Sequence, residues 1–399
     1  MLAEEASPYP RRFEDPQGWR EGLIALSDRL DLALRARVGA IAIDGTSGTL
    51  LLCRADGSLA AGDLGLALPY SLACPEQAPT AAALVGGDGN SPAASASGSL
   101  ARALRLLAAA EDAGGGQEAW LLRHQADWLM GWLLGSWRWG EEGNNLRLGW
   151  TPQQQRWAGA ILQQRWAGAL PQIAASGSVL GPLAADACQA LGLPARCVVV
   201  AGSTDANAAV LAADPGPGDG ITVLGTTLVL KRFCAQPIQG PGISCHRVGG
   251  SWLVGGASNA GAGVLRQFFS DDQLAELSRQ INPAQASGLQ LRPLPARGER
   301  FPVDDPELEP VLGPRPVSDS LYLHGLLEGL AAIEATGWRQ LEALGAPPVN
   351  RVISLGGGAR NPQWRAIRQR LLGVPVLNRP RLSAALGMAR LAATALLRP

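Results

Sequence analysis

Two segments place an aliphatic run against a turn of glycine and hydroxyl residues. One is Ile41-Ala42-Ile43-Asp44-Gly45-Thr46-Ser47-Gly48-Thr49-Leu50-Leu51-Leu52, the other Ile221-Thr222-Val223-Leu224-Gly225-Thr226-Thr227-Leu228-Val229-Leu230. In each a second aliphatic run follows at once, which predicts a tight β-hairpin over 41–54 and another over 221–233. Such turns offer backbone N–H groups and hydroxyls to an anion, because glycine lets the main chain approach closely. Between them, the strand Cys197–Val200 runs into Ala201-Gly202-Ser203-Thr204-Asp205 and a helix from Ala206. An acid at that strand–helix junction can cap the helix, or it can act as general base toward a substrate hydroxyl. Two phosphate-type turns flanking one acid point to two related halves that close on a phosphate.

The chain must supply this chemistry without a lysine-based loop. Lysine occurs once, at Lys231, which excludes both the G-x-x-x-x-G-K-[ST] loop and the strand lysine of protein kinases. Phosphates are then left to turns and helix N-termini. With 34 basic and 34 acidic residues, the net charge of zero gives no electrostatic footprint for nucleic acid or an anionic membrane. No apolar run is long enough to predict a transmembrane helix, and Met1–Asp15 lacks the apolar core of a signal peptide. Six scattered cysteines without a C-x-x-C pair read as reduced thiols, so a cytoplasmic protein is expected.

At 399 residues the chain predicts about two domains, divided here as 1–213 and 214–399 across the Pro/Gly run after Asp214. Periodicity predicts helices over 16–35, 99–112, 118–134, 321–344, 362–372 and 383–397, with strands at 38–43, 250–256, 351–355 and 374–377. A short helix over 264–269 follows Ala257-Ser258-Asn259-Ala260-Gly261-Ala262-Gly263, while 60–98 and 282–320 read mostly as loop. A nine-residue duplication, QQRWAGAI at 154–161 and QQRWAGAL at 163–170, reads as a local repeat inside one helix. Strands and helices intermix in both halves, so the fold class is α/β.

Other features carry less. Gly356-Gly357-Gly358-Ala359-Arg360-Asn361 lacks the spacing of a dinucleotide fingerprint. A glycine floor beneath an adenine, with Asn361 as hydrogen-bond partner, fits it better, and Trp364 reads equally as core or pocket wall. Histidines 124, 246 and 324 do not reach ligand spacing with carboxylates, so no metal site is assigned. The tryptophans of 128–139 read as core packing.

Taken in order, IDGTSGT, AGSTD, LGTT, GGASNAGAG, GGGARN and the segment Arg123–Leu129 resemble the FGGY carbohydrate kinases over nearly the whole chain. The nearest likeness is to the cyanobacterial and plant branch that phosphorylates ketopentoses, D-ribulose in particular, which shares the RQFF and LPxRGERFP segments. The resemblance implies an actin-like fold of two ribonuclease-H-like domains, a sugar-binding domain over 1–213 and an ATP-binding domain over 214–399. Sugar and Mg-ATP would meet in the cleft between them, giving the sugar 5-phosphate. It further implies Asp205 as catalytic base and Ser47, Asp205 and Asp44 as substrate contacts. Gly225, Thr226 and Thr227 become a phosphate loop, with Gly356, Gly357 and Asn361 as adenosine contacts. The expected partners are a small sugar, ATP and Mg2+, in a monomer or homodimer.

The family begins with a further Asp-x-Gly-Thr hairpin, and Asp44–Thr49 matches its second copy. The expectation is therefore a longer gene product whose first hairpin precedes Met1. A non-catalytic sugar- or nucleotide-binding relative stays as the alternative.

Overall fold

The computed structural model describes residues 1–87, 91–114 and 120–397. They form two compact units. The first takes Met1–Ala212, Arg247–Gly250 and the C-terminal segment from Ser383; the second takes Ala213–His246 and Ser251–Leu382. The change of unit after residue 212 lies beside the expected division at 213/214, but the terminal helix returns to the first unit.

The first unit opens with an irregular segment and helix α1 (Pro16–Asp28), capped by the Asp15 side chain. The helix expected over 16–35 is broken, because Asp31 caps a separate turn, Leu32–Arg35, through Ala33 N–H at 2.7 Å. Strands β1 (Ala40–Gly45) and β2 (Leu50–Cys53) follow. Then come α2 (Ser99–Asp112), β3 (Leu121–His124) and α3 (Gln125–Leu134). Strands β4 (Val179–Pro182) and β5 (Val198–Thr204) lead into α4 (Asp205–Ala212).

β1 and β2 are not a hairpin. β1 pairs in parallel with β5, which also carries β4, whereas β2 pairs antiparallel with β3. The reason lies in burial. Leu50 and Leu52 pack with Leu100 of α2, while Leu51 and Cys53 pack with Trp19 and Trp128, so β2 is apolar on both faces. A strand covered on both faces needs apolar cover that a local hairpin with β1 would not supply, and its pairing with β3 places it between those two cores. The same pairing takes residues 121–124 out of the helix expected over 118–134, whose first residues lie outside the described ones. Nor is the duplicated segment one helix: it forms a short strand at Arg156–Trp157, a turn of helix at Gly159–Leu162 and a 3-10 segment at Arg165–Ala169. Trp157 and Trp166 both enter the core beside α2, which is what the repeat supplies. The 60–98 stretch, expected as loop, contains a helix at Ala78–Leu84.

The second unit is built on a sheet formed by β6 (Asp219–Leu224), β7 (Leu228–Cys234), β8 (Ile243–Val248), β9 (Ser251–Ser258), β10 (Arg351–Leu355) and β11 (Val376–Asn378). Its order is β8-β9-β7-β6-β10-β11. β6 and β7 form the expected hairpin, with Leu224 opposite Leu228, and β6 pairs in parallel with β10. Helices α5 (Asp319–Ala343) and α6 (Pro362–Leu372) cover the sheet. Their apolar faces meet Leu224, Leu230 and Val352 in one large core that also takes Phe301 and Trp364. Residues 282–318 lack helix and strand, as their prolines predict. The last helix, α7 (Ala384–Leu396), packs on α4 in the first unit. Gly387 allows this contact, since a Cβ there would lie 1.9 Å from Ala208 O.

Beneath the α5/α6 layer lies a fully buried ion pair. Arg368 of α6 donates to both carboxylate oxygens of Glu334 of α5, at 2.6 and 2.7 Å. Arg368 also donates to Ser354 Oγ of β10 and Thr222 Oγ1 of β6 to Glu334, both at 2.6 Å. Every charge is satisfied, so removing one partner leaves a buried ion unpaired, at a cost of about 3–5 kcal/mol. Arg368→Met should lose stability of that order in denaturant unfolding followed by tryptophan fluorescence. The double variant Arg368→Met/Glu334→Leu should recover most of it, and equal losses in the two would contradict the charge argument.

Candidate functional site

In the first unit, parallel pairing of β1 and β5 sets Asp44 opposite Ser203 and Gly45 opposite Thr204, so the carboxyl ends of both strands reach one edge. Open α/β sheets bind ligands at such edges. A register shift between Ala42 and Asp44 re-aims the acid at the last turn of β1. Asp205 is the first residue of α4 and is solvent-exposed. It is not the helix cap. Thr204 fills that role, its Oγ1 accepting from Asn207 N–H at 3.3 Å, while within the helix Asp205 accepts from its adjacent Ala206 N–H at 2.8 Å.

The two carboxylates feel each other. Burial, and then the charge of Asp205, push the half-buried Asp44 carboxyl up to about 6. Although the residue as a whole is exposed, desolvation of its carboxyl raises Asp205, against the lowering effect of the Ala206 and Ser47 backbone N–H groups. Ser47 thus contributes its main chain to the acid pair, from a turn held by a defined chain of hydrogen bonds. Gln125 Oε1 accepts from Thr46 N–H and from Thr46 Oγ1, both at 3.0 Å. Thr46 Oγ1 lies 2.6 Å from Thr49 Oγ1, which accepts from Tyr70 N–H at 3.1 Å. Gly48 turns the chain at φ +102°, and its carbonyl accepts from the buried Arg102 at 3.1 Å. The structure therefore brings together Asp44, Ser47 and Asp205, and adds Gln125, Arg102 and Tyr9. Tyr9 Oη accepts from Gln125 Nε2 at 3.3 Å and lies in the field of both Asp44 and Asp205. Nothing in the residues around Tyr9 flagged it; the Arg123–Leu129 segment signalled Gln125, though without a role.

In the second unit, Gly225, Thr226 and Thr227 form the turn between β6 and β7. Gly225 N–H closes it onto Thr227 O at 3.2 Å. Ala262 N–H and Gly263 N–H bind the carbonyls of Gly225 and Thr226 at 2.9 and 3.1 Å. Those contacts explain the glycines of 261–263, since a Cβ at Gly261 would lie 2.4 Å from Thr226 O. Among the described residues, the amides of Thr226 and Thr227 have no backbone partner. They line a cavity of about 390 Å³ with Asn259, Gly263, Gln267 and Arg297. Gly263, Gln267 and Arg297 lie in segments that matched the family motifs, but no sequence signal gave them a site role.

Gly356 follows β10 at φ +84°, where a Cβ would lie 2.8 Å from Leu224 O, so this glycine run sits against the end of β6. The run is not a flat floor: Gly357–Arg360 coils into a 3-10 turn, with Gly357 exposed and facing open space. Asn361 caps α6. Its Oδ1 accepts from Trp364 N–H at 3.0 Å and its Nδ2 donates to Ser278 Oγ at 2.8 Å. Trp364 itself is core, 2% exposed. Among the described residues, no group of three or more His, Cys, Asp or Glu could hold a metal ion, and no helix is long and apolar enough to cross a membrane.

The fold is that of the sugar kinases of actin-like architecture. A xylulose kinase from Brucella ovis superposes with a TM-score of 0.80 at 20% identity, covering 98% of this chain and 84% of that one. A glycerol kinase from Plasmodium falciparum, solved with ADP, gives 0.77 at 14% identity, over 98% and 83%. Residues 220–396 match the C-terminal domain of the FGGY family of carbohydrate kinases. The L-fuculokinase of Salmonella typhi is 26% identical over 220 residues, which are 52% of this chain and 45% of that protein. The aligned part thus spans about half the length of that curated relative.

A carboxyl raised in the folded state binds its proton more tightly there than in the unfolded chain. Asp44 therefore favours folding at low pH and loses that contribution as pH rises from 3.8 to about 6. Carbon-13 NMR titration of the Asp44 carboxyl should give a midpoint near 6. In Asp205→Asn the midpoint should fall, because the second-largest cause of the shift is removed; an unchanged midpoint would separate the two acids.

Proposed function

We propose that this protein is an ATP-dependent sugar kinase acting on a ketopentose, D-ribulose foremost, and yielding the 5-phosphate and ADP. The observation that carries the reading is the state of Asp205. Thr204 caps the helix in its place, and the acid stands exposed beside Asp44 at the carboxyl edge of β1 and β5. A carboxylate with a raised proton affinity is a better general base while it stays ionised near neutral pH. In the proposed step the sugar hydroxyl oxygen forms a bond to the γ-phosphorus, its proton passes to Asp205, and the bond to the bridging oxygen of ADP breaks. Asp44 and the Ser47 turn would hold further hydroxyls of the sugar.

The first unit takes the acceptor in this reading, and the second takes the nucleotide. The unpaired Thr226 and Thr227 amides, in a turn rigidly tied to 260–263, suit phosphate oxygens. Gly356 and Gly357 offer open backbone to the adenosine, and Asn361 retains one lone pair on its capping oxygen. Mg2+ would enter with the nucleotide phosphates, keeping waters as most of its other ligands, which leaves Asp205 free as base. Bound there, it would neutralise phosphate charge. The xylulose kinase resemblance supports a pentulose acceptor.

Asp205→Asn should keep the thermal unfolding profile and lower kcat for D-ribulose on the order of 100-fold or more. Near-wild-type turnover would remove Asp205 from the role of base. If the unaltered chain binds sugar and ATP without ADP release, the non-catalytic alternative holds. Asn361→Ala should lower stability by about 1 kcal/mol through loss of the cap. It should also raise KM for ATP several-fold and leave that for sugar unchanged; a selective effect on sugar would exclude Asn361 from the nucleotide site.

A further inference from the structure

The hydrogen-bond chain behind the Ser47 turn fixes the direction of one hydroxyl at the acid pair. A backbone N–H can only donate, so Thr46 N–H at 3.0 Å identifies the Gln125 atom it meets as the amide oxygen. The other end of that amide is then NH2, which can only donate, and it meets Tyr9 Oη at 3.3 Å. Tyr9 oxygen is therefore the acceptor, and its own proton is free to donate elsewhere. The residue is about half exposed, at 49%.

The segment that carries Tyr9 is anchored on both sides. Phe13 stacks edgewise on Tyr9 at 5.6 Å and packs on buried Trp19, whose indole N–H donates to Phe13 O at 2.7 Å. Arg11 pairs with Glu21 of α1 at 2.6 Å, and Arg29 donates to Ala6 O at 3.1 Å. Tyr9 thus reaches the Asp44/Asp205 edge from a tethered strap.

We propose that Tyr9 is a substrate-contacting specificity residue, whose oriented O–H donates to an oxygen of a polyhydroxy ligand held at Asp44 and Asp205. Two carboxylates can only accept from sugar hydroxyls while ionised. A neutral donor beside them supplies what they lack, an interaction with a carbonyl or ether oxygen of the same ligand. A ketose carbonyl oxygen can only accept, whereas the hydroxyl that replaces it in an alditol can instead donate to a carboxylate, so Tyr9 would favour ketoses over the corresponding alditols. This inference rests on the acceptor-site reading given above.

The test compares wild type and Tyr9→Phe in steady-state kinetics with D-ribulose, D-xylulose and ribitol at saturating ATP. Loss of one neutral hydrogen bond should raise KM for the ketoses roughly 2- to 10-fold, leaving KM for ATP unchanged and narrowing the preference over ribitol. Gln125→Glu, which replaces the NH2 donor by an acceptor, should turn the Tyr9 proton toward residue 125 and weaken ketose binding in the same direction. Unchanged ketose KM in Tyr9→Phe, or equal shifts for the ketoses and for ribitol, would overturn the donor assignment alone. Absence of any sugar-dependent turnover by the wild type would overturn the acceptor reading itself, and the assignment with it.

Discussion

Parallel pairing of two strands is the constraint on which both candidate sites depend. Parallel neighbours end at the same edge, so whatever follows each strand is delivered to one place without any further device. In the first unit β1 and β5 deliver Asp44 with its turn and Asp205 with its helix. In the second unit β6 and β10, in register at Val223 and Leu355, deliver the Gly225–Thr227 turn and the Gly356 run. Both pairs depend on close backbone approach. A Cβ at Gly202 would lie 1.8 Å from Ile43 O, and one at Gly356 would lie 2.8 Å from Leu224 O.

Delivery to an edge does not fix the angle of a turn, and in each unit a buried polar group completes the job. In the second unit it is the Arg368–Glu334 pair, which reaches register partners Thr222 and Ser354 just before the two turns. In the first unit Arg102 binds the carbonyls of Gly48, Tyr70 and Leu72, joining the Ser47 turn to the loop that packs over it. Each network is built of charge-assisted bonds inside a low-dielectric layer, where a misplaced partner would be costly. Rigid turns of this kind are what a phosphate or sugar site requires.

The elements with strong period or strong punctuation were legible in the sequence. The hairpin of β6 and β7, the strand into Asp205, helices α2, α5, α6 and α7 and the proline-rich 282–318 stretch all appear where the pattern placed them. The failures share a cause, which is long-range pairing. Asp44–Leu52 reads as a hairpin because its local chemistry is that of a tight turn, yet β2 finds β3 some seventy residues later and buries both faces. Local periodicity in 118–134 cannot tell a buried strand from a buried helix, since both are continuously apolar. The acids, turns and glycines of the candidate site were visible as residue types. The roles of Tyr9, Gln125 and Thr204 were not, because each acquires its role from hydrogen bonds to partners that folding supplies.

The shortage of lysine has a structural counterpart. The single ammonium, Lys231, is buried, donates to Ser244 Oγ at 2.7 Å, and burial lowers it to about 8. Buried arginines serve the main chain: Arg123 donates to the carbonyls of Trp137, Leu122 and Ala169, and Arg232 to those of Pro217, Pro347 and Pro348. Five donors spread over three nitrogens in a rigid fork suit carbonyls on separate segments, which the three donors of a single ammonium nitrogen do not span in the same way. At the cavity beside Thr226 the cationic side chain is Arg297, and it is already paired with Glu307 and Glu309. A phosphate arriving there meets neutral amides first. Binding by amides is weaker per contact than by an ammonium but fixed in direction, so in the proposed reading it would favour the geometry of a transferring phosphoryl group over bulk anion attraction. Selectivity among anions would then rest on the shape of the 225–227 turn, which the contacts from 260–263 define.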